Sequence, residues 1–308
     1  MTPDVFRNTL VLTGPTGSGK SQLAVELAER LGAEVVSMDS MALYRGMDVG
    51  TAKPDAGQRR RVTHHLIDVL DPWESASVAW WLERAADCVR DIEGRGKRAL
   101  FVGGTPLYLK ALLHGLFDGP PADAELRRRL TEEVERDGSA ALHARLAAVD
   151  PASAARLHPN DARRVIRALE VWQLTGRPLS DWQTQWPGLR TQDSGLRTPS
   201  VFRLDLPRDE LYARIDARVL QMFADDLLDE AAALRRLPHP LSREAAQAVG
   251  YREAFAHLDG LVPREETVRL IQMHSRRLAK RQLAWFRQMP ECRPVSRADV
   301  ERRGFAGP

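Results

Sequence analysis

Cysteine is scarce in this chain of 308 residues. There are two, Cys88 and Cys292. No CxxC occurs, so neither a zinc site nor a redox motif is supported, and a reducing compartment is expected. Long hydrophobic runs are missing too. None approaches the ~20 apolar residues that a membrane helix needs. The N-terminal "MTPDVFRNTL" lacks the charged and apolar regions of a signal peptide. A cytoplasmic protein with no membrane partner is expected. No internal repeat or low-complexity tract is present, and nothing signals oligomerisation, so a monomer is expected.

The rest of the composition is that of an ordinary globular chain, with hydrophobic residues at 43% and charged residues at 28%. The formal net charge is only +3, yet the isoelectric point is near 9.1. Such basicity permits a nucleic-acid partner, and its distribution decides the matter. From Leu270 to Arg287 there is no acid, while Arg276, Arg277, Lys280, Arg281 and Arg287 fall in that stretch. Unbalanced positive charge on one segment favours phosphate contact. The competing reading is a solvated basic face.

Hydrophobic patterning alternates strands and helices at first. "TLVLTG" and "AEVVS" read as buried strands, separated by the helical "SQLAVELAERLG", with Gly32 as its stop signal. A helix is predicted over 78–92 and a third strand over 98–102. In "TPLYLKALLHG" Thr105 is the predicted N-cap and Pro106 the first helical residue. This alternation predicts a parallel sheet in a doubly wound α/β fold. From 120 to 198 the pattern is helical throughout. It predicts an all-helical insertion domain, 120–198, within a core of 1–119 and 199–308. The returning strand is expected in "RTPSVFRLDLP", "TQDSGLRTPS" is the best linker candidate, and a long helix is predicted over roughly 263–289.

"GPTGSGKS", Gly14 to Ser21, fills the GxxxxGK[ST] pattern between a strand and a helix. The loop of Gly14, Pro15, Thr16, Gly17, Ser18 and Gly19 is expected to surround an anion with its backbone N–H groups, proline excepted. Lys20 would add a mobile charge and Ser21 a hydroxyl ligand for Mg²⁺. This pattern implies di- or triphosphate binding and not hydrolysis. An ATPase usually has a second strand ending in a magnesium-holding acid, and "FVGGT" has none. The nearest acid to a strand end is Asp39, two residues beyond "VVS", in the crevice where open α/β sheets bind ligands. It reads equally as a general base or as an Asx turn or N-cap.

Seven stretches, "GPTGSGKS", "SMDSMALYRGMDVGTAKP", "HHLIDV", "FVGGTPLYLKALL", "HPNDARRVIRALEV", "QAVGYRE" and "LAKRQLAWFR", occur in the order seen in bacterial tRNA dimethylallyltransferases. The chain resembles that family over nearly its whole length. The resemblance implies a P-loop NTPase-like α/β core, with the prenyl group of dimethylallyl diphosphate passed to N6 of the tRNA adenosine immediately 3′ of the anticodon. The loop would hold the leaving diphosphate of a prenyl donor, with Mg²⁺ near Ser21. Asp39 would be the base, and Arg218, ahead of Arg214, a second diphosphate ligand.

The acceptor base must leave its stack to reach a buried diphosphate. By resemblance Asp39, Ser40, Met41 and Ala42 would line the flipped base, with Thr105 and Arg127 contacting the nucleotide. Arg163, Arg164 and Arg167 would grip the anticodon loop. Arg163 stands where the family often has glutamine, which should favour phosphate contact over base-edge reading. Gln247, Gly250, Tyr251 and Arg252, with Lys280, Arg281, Gln282, Trp285 and Arg287, would touch the stem-loop. From the residues alone, Trp285 and Phe286 are expected in the core, as are Trp80 and Trp81. His64 and His65 are expected to be structural.

Two other enzymes and a binder compete with this reading. An adenylate-type isopentenyltransferase acting on free adenine nucleotides has no use for the insertion or the basic helix. A P-loop small-molecule kinase would need a lid of paired arginines that is not evident. A non-catalytic RNA-binding P-loop protein leaves Asp39 unexplained.

Overall fold

The structure, a computed structural model, describes residues 3–116, 119–182 and 199–303. The linker candidate 191–200 falls almost wholly outside them. Apolar, β-branched stretches form the buried strands β1 (Leu10–Thr13), β2 (Ala33–Ser37) and β4 (Arg98–Gly103). Between them lie α1 (Lys20–Leu31), α2 (Ala56–Arg61), the two-residue β3 (His64–His65) and α3 (Val78–Gly94). α4 (Pro106–His114) follows β4 and starts at the predicted proline.

Beyond α4 the chain is helical: α5 (Ala124–Asp137), α6 (Ser139–Val149), α7 (Pro151–Arg156), α8 (Ala162–Thr175) and α9 (Leu179–Trp182). It then forms β5 (Ser200–Leu204), α10 (Arg208–Ala224), α11 (Leu227–Arg235), α12 (Arg243–Ala246) and α13 (Tyr251–Leu258). α14 (Arg264–Arg287), β6 (Arg293–Val295) and α15 (Arg297–Arg303) complete it.

Among the described residues one sheet forms, in the order β3-β2-β4-β1-β5-β6, with every pairing parallel. Both neighbours of β1 register on it directly: Leu10 lies opposite Leu100 on one side and Ser200 on the other. Parallel strands need crossovers, and the helices supply them. On α1, Leu23 with Leu27 and Ala24 with Ala28 stack at i,i+4 against Leu10, Leu12 and Val35. The strands β3 and β6 were not anticipated. One is two residues long and the other holds a proline, so neither shows a readable alternation.

Contacts divide the chain into two compact units, Thr2–Leu113 with Leu196–Pro308, and His114–Gly195. The second unit has its own core, in which Leu126 and Leu130 of α5, Leu142 and Leu146 of α6, and Val165, Ala168 and Leu169 of α8 meet. Its helix starts follow from the sequence: Asp123, Asp150 and Asp161 each accept a backbone N–H as the N-cap.

Candidate active site

The centre of the parallel sheet positions the site. The loop after β1 runs at its carboxyl end into the N-terminus of α1, and Gly19, in the left-handed region at φ 84°, is the N-cap. Lys20, Ser21 and Thr16 line a cavity with Asp39 and Arg218. The remaining wall mixes apolar side chains, Ala24, Val35, Val102, Ala42, Ile67 and Pro54, with polar ones, Ser37, Thr51, Lys53 and His64. The apolar stretch is short and suits a small hydrocarbon.

The phosphate loop is only partly at this wall. Gly14, Pro15, Gly17, Ser18 and Gly19 were expected around the anion, and none of them lines the cavity. Gly17 has a further reason to be glycine. It stands at φ 81°, and a Cβ on it would lie 2.6 Å from Ile215 Cγ1 of α10. Close packing against α10 and a left-handed backbone require glycine there. An anion is not needed to explain it.

Among the described residues two cations without an ion pair, Lys20 and Arg218, face one acid here. Lys20 reaches the Pro15 carbonyl at 3.3 Å, and Arg218 Nη2 donates to Thr16 Oγ1 at 2.6 Å. Among the described residues neither forms an ion pair within 4 Å. Arg218 Nε and Ser18 Oγ are buried without hydrogen-bond partners. Burial lowers the Lys20 ammonium to about 8, with Asp39 opposing the shift and Arg218 adding to it. Burial likewise lowers the Arg218 guanidinium, against Asp39. The orphaned Arg218 donor and the surplus positive charge mark a site for an anion. Arg214 is different: it pairs with Glu210 at 2.7 Å and its side chain is 44% exposed.

Activity should follow the charge on Lys20. The lysine is cationic below about 8 and loses its charge above it, and an anion beside it would hold the proton on. The kcat/KM for a diphosphate substrate reports the free enzyme. It should stay level up to about pH 8 and then fall about tenfold per unit. Lys20→Arg should remove that decline. A wild-type profile flat to about pH 9.5 would show that Lys20 is not the titrating charge.

Asp39 owes its place to the neighbouring glycine. A Cβ on Gly103 would lie 2.1 Å from the Met38 carbonyl oxygen. Only glycine lets the end of β4 pack on the chain leaving β2. The Met38 N–H then donates to Val102 O at 2.8 Å, and Thr105 N–H to Met38 O at 3.3 Å. Trp81 is fully buried, stacks on Tyr108 at 4.3 Å and donates from its indole to Ser37 O. Asp39 Oδ1 accepts the Met41 N–H at 2.9 Å. The turn reading of this residue is met, and its carboxylate is placed where the other reading needs it. One oxygen closes an Asx turn, and the carboxylate lines the cavity.

The other residues anticipated from sequence divide by burial. Ser40 N–H donates to Thr105 Oγ1 at 3.1 Å, Ala42 is buried in the cavity wall, and Met41 is half-buried. On α14, Arg277, Lys280, Arg281 and Arg287 are exposed at i, i+3, i+4 and i+10, which places them on one face. None makes an ion pair among the described residues. Arg276 leaves this group, because Asp216 of α10 binds it at 2.5 Å. Trp285 was expected in the core and is instead 38% exposed beside the basic face, while Phe286 is buried as expected.

Several side chains expected on the RNA are committed elsewhere. Gln282 is buried, accepting the Thr16 N–H at 2.8 Å and donating to Gly104 O at 2.7 Å. It clamps the phosphate loop to the end of β4. Tyr251 is fully buried, and Gly250 is buried with its N–H on Glu253. Gln247 is exposed, and Arg252 pairs with Glu253 and His274. In the helical unit, Arg163 and Arg164 are exposed. Arg127 and Arg167 both bind the wholly buried Glu170, at 2.9 and 2.6 Å, so they help to hold that unit together. Local sequence could not find the distant partners, which lie 43 positions away for Arg127 and 266 for Gln282.

His64 lines the cavity, and its Nδ1 meets Val62 O at 2.8 Å. Burial lowers its pKa, which favours the neutral ring. His65 lies 2.7 Å from Glu34.

The IPP transferase family model matches residues 42–289, and an Isopentenyl transferase model matches 7–67. The chain belongs to the IPP transferase family. It is 47% identical to a tRNA dimethylallyltransferase of Geobacter metallireducens, over 92% of this chain and 90% of that one. It resembles the crystal structure of the tRNA isopentenylpyrophosphate transferase of Bacillus halodurans at 41% identity and TM-score 0.66, covering 94% and 90% of the two chains. A eukaryotic dimethylallyltransferase described as acting on tRNA matches at 26% identity and TM-score 0.74, covering 96% of this chain and 75% of its own. The α/β core is thus of the P-loop NTPase-like kind. Among the described residues no helix is long and apolar enough to cross a membrane.

Proposed function

We propose that this protein transfers the dimethylallyl group of dimethylallyl diphosphate to N6 of the tRNA adenosine 3′ of the anticodon and releases diphosphate. The observation that carries this is the cavity, with Lys20, Arg218 and Asp39 together at its polar end and a short apolar stretch of wall. A nucleoside triphosphate does not require the apolar part; a five-carbon prenyl group does.

The allylic C–O bond ionises readily because the cation is delocalised. The amides at the start of α1, Lys20 and Arg218 meet the charge growing on the departing diphosphate. The N6 lone pair forms the new C–N bond, and Asp39 accepts the proton that N6 gives up. Holding donor and base in one cavity supplies the orientation. Among the described residues no three His, Cys, Asp or Glu side chains cluster to hold a metal. What the cavity offers is a hard oxygen, the Ser21 hydroxyl, with Asp39 kept as the base. This donor suits Mg²⁺ that takes its other ligands from diphosphate and water. Bound there, the ion supplies charge neutralisation to the diphosphate oxygens.

For the acceptor, the exposed face of Arg277, Lys280, Arg281 and Arg287 supports phosphate contact, and Trp285 beside it can stack on a base. Each phosphate contact contributes about 0.7–0.9 to the slope of log affinity against log salt. Replacing Lys280 and Arg281 with alanine should weaken tRNA binding and flatten that slope by about 1.5. Arg276→Ala, with its charge already matched by Asp216, should leave the slope alone. An unchanged slope in the double variant would move the RNA face elsewhere.

The direct test is transfer of labelled prenyl groups with Mg²⁺ and dimethylallyl diphosphate, offering unmodified tRNA or AMP, with ATP hydrolysis followed separately. Label on tRNA at the adenosine 3′ of the anticodon upholds the proposal. Label on AMP moves it to the free-nucleotide branch. ATP turnover without label sinks it.

A further inference from the structure

The segment 51–54 walls the cavity with Thr51, Ala52, Lys53 and Pro54, yet it belongs to no helix or strand. Its backbone amides must find acceptors elsewhere. Just before it, three consecutive N–H groups converge on one carboxylate. Glu230 of α11 accepts Asp48 N–H at 2.8 Å, Val49 N–H at 2.9 Å and Gly50 N–H at 3.1 Å. Tyr251 completes the arrangement: its hydroxyl donates to Glu230 Oε1 at 2.5 Å and accepts from Gly50 N–H at 3.2 Å. A Cβ on Gly50 would meet the tyrosine ring at 2.5 Å, so glycine is required for this approach.

At the far end of the wall Lys53, its side chain 1% exposed, reaches the Tyr44 carbonyl at 2.5 Å and the carboxylates of Asp48 and Asp68 at 2.7 and 2.5 Å. Between the two anchors Ala52 stands at φ 52°, a left-handed conformation that alanine keeps only when its surroundings impose it. Charge-assisted bonds from a nest of amides to a carboxylate are the strong kind.

We propose that Glu230 and Tyr251 are positioning residues that latch 48–50 in place and so hold the wall of the prenyl-donor cavity, touching neither donor nor tRNA. This rests on the donor reading of the cavity given above. It also gives Tyr251, expected on the tRNA, a different task.

The test uses full-length Tyr251→Phe and Glu230→Gln, the first of them mild enough to keep the fold. Two measurements are compared with wild type: amide hydrogen exchange at 48–50, and KM for donor and for tRNA, each with the other saturating. Exchange at 48–50 should speed up while core strands stay protected. Donor KM should rise about tenfold with tRNA KM unchanged, as expected for loss of a charged hydrogen bond at a positioned wall. Unchanged exchange overturns the latch. Faster exchange with donor KM unchanged makes the contact purely structural and also overturns the proposal. A shift in tRNA KM alone returns Tyr251 to the RNA. If wild type transfers no prenyl group, that failure falls on the donor reading, and the exchange comparison still upholds or sinks the latch.

Discussion

Asp39→Asn should lower kcat for prenyl transfer by about 10²–10⁴-fold, the range for loss of a positioned general base. Asparagine is the informative replacement. Its carbonyl can still accept the Met41 N–H that Asp39 Oδ1 accepts at 2.9 Å, so the turn survives and only the proton acceptor is lost. Asp39→Ala removes both and should fall at least as far. The two effects on donor binding also differ in sign from the effect on turnover. Asp39 is the acid that offsets the charges of Lys20 and Arg218. Without it the polar end of the cavity is more positive, so donor KM should fall while kcat collapses. Affinity for tRNA should change by less than about twofold, because surface contacts elsewhere dominate that term. Single-turnover transfer and tRNA binding measured on the same preparation check all three. If turnover survives in Asp39→Asn, the carboxylate is not the base and serves only its turn.

Arg218→Ala should cost about 10²–10³-fold in kcat, comparable to removing one preorganised donor from a developing anion. The geometry predicts how substitution will grade. The guanidinium spends Nη2 on Thr16 Oγ1 at 2.6 Å and keeps a buried Nε without a partner. A planar fork can hold the threonine and still aim a second donor at the anion, whereas lysine supplies a point charge without that geometry. Arg218→Lys should therefore recover only part of the rate. Full recovery would mean that charge alone matters there. Arg214→Ala is the control. Its guanidinium is exposed and paired with Glu210, and transfer should change by less than about twofold, since such surface pairs contribute little. A large loss in Arg214→Ala would exchange the roles of the two arginines.

Much of the core was legible in the residues because the relevant signals are local. "TLVLTGPTGSGKS" is strand, loop and helix start within a dozen or so positions, and the glycines allow that turn whatever lies around them. The capping aspartates and the 3.6-residue stripes of the helical unit are local in the same way. Legibility ended where a residue's meaning depends on what packs against it. Gly17 reads as one more loop glycine, and the side chain that forbids a Cβ there is Ile215, far along the chain. On α14 the sequence presents Arg276, Arg277, Lys280 and Arg281 as one basic run. Folding brings Asp216 to the first and leaves the other three exposed.

The same helix turns Gln282 inward to the phosphate loop, although it stands beside an exposed arginine and three residues before an exposed tryptophan. A 100° step per residue separates solvent from core, and only the neighbouring elements decide which side is which. Arg218 and Arg214 are one helical turn apart in sequence, and the packing of α10 sends one to the cavity and the other to Glu210. Tyr251 is assigned by a carboxylate twenty-one residues upstream. The chain's composition and motifs thus settled the kind of fold and the kind of chemistry, through local spacing and sterics. Which charges remain unmatched, and which polar groups are committed to holding the site, followed from long-range contacts that no window of sequence contains.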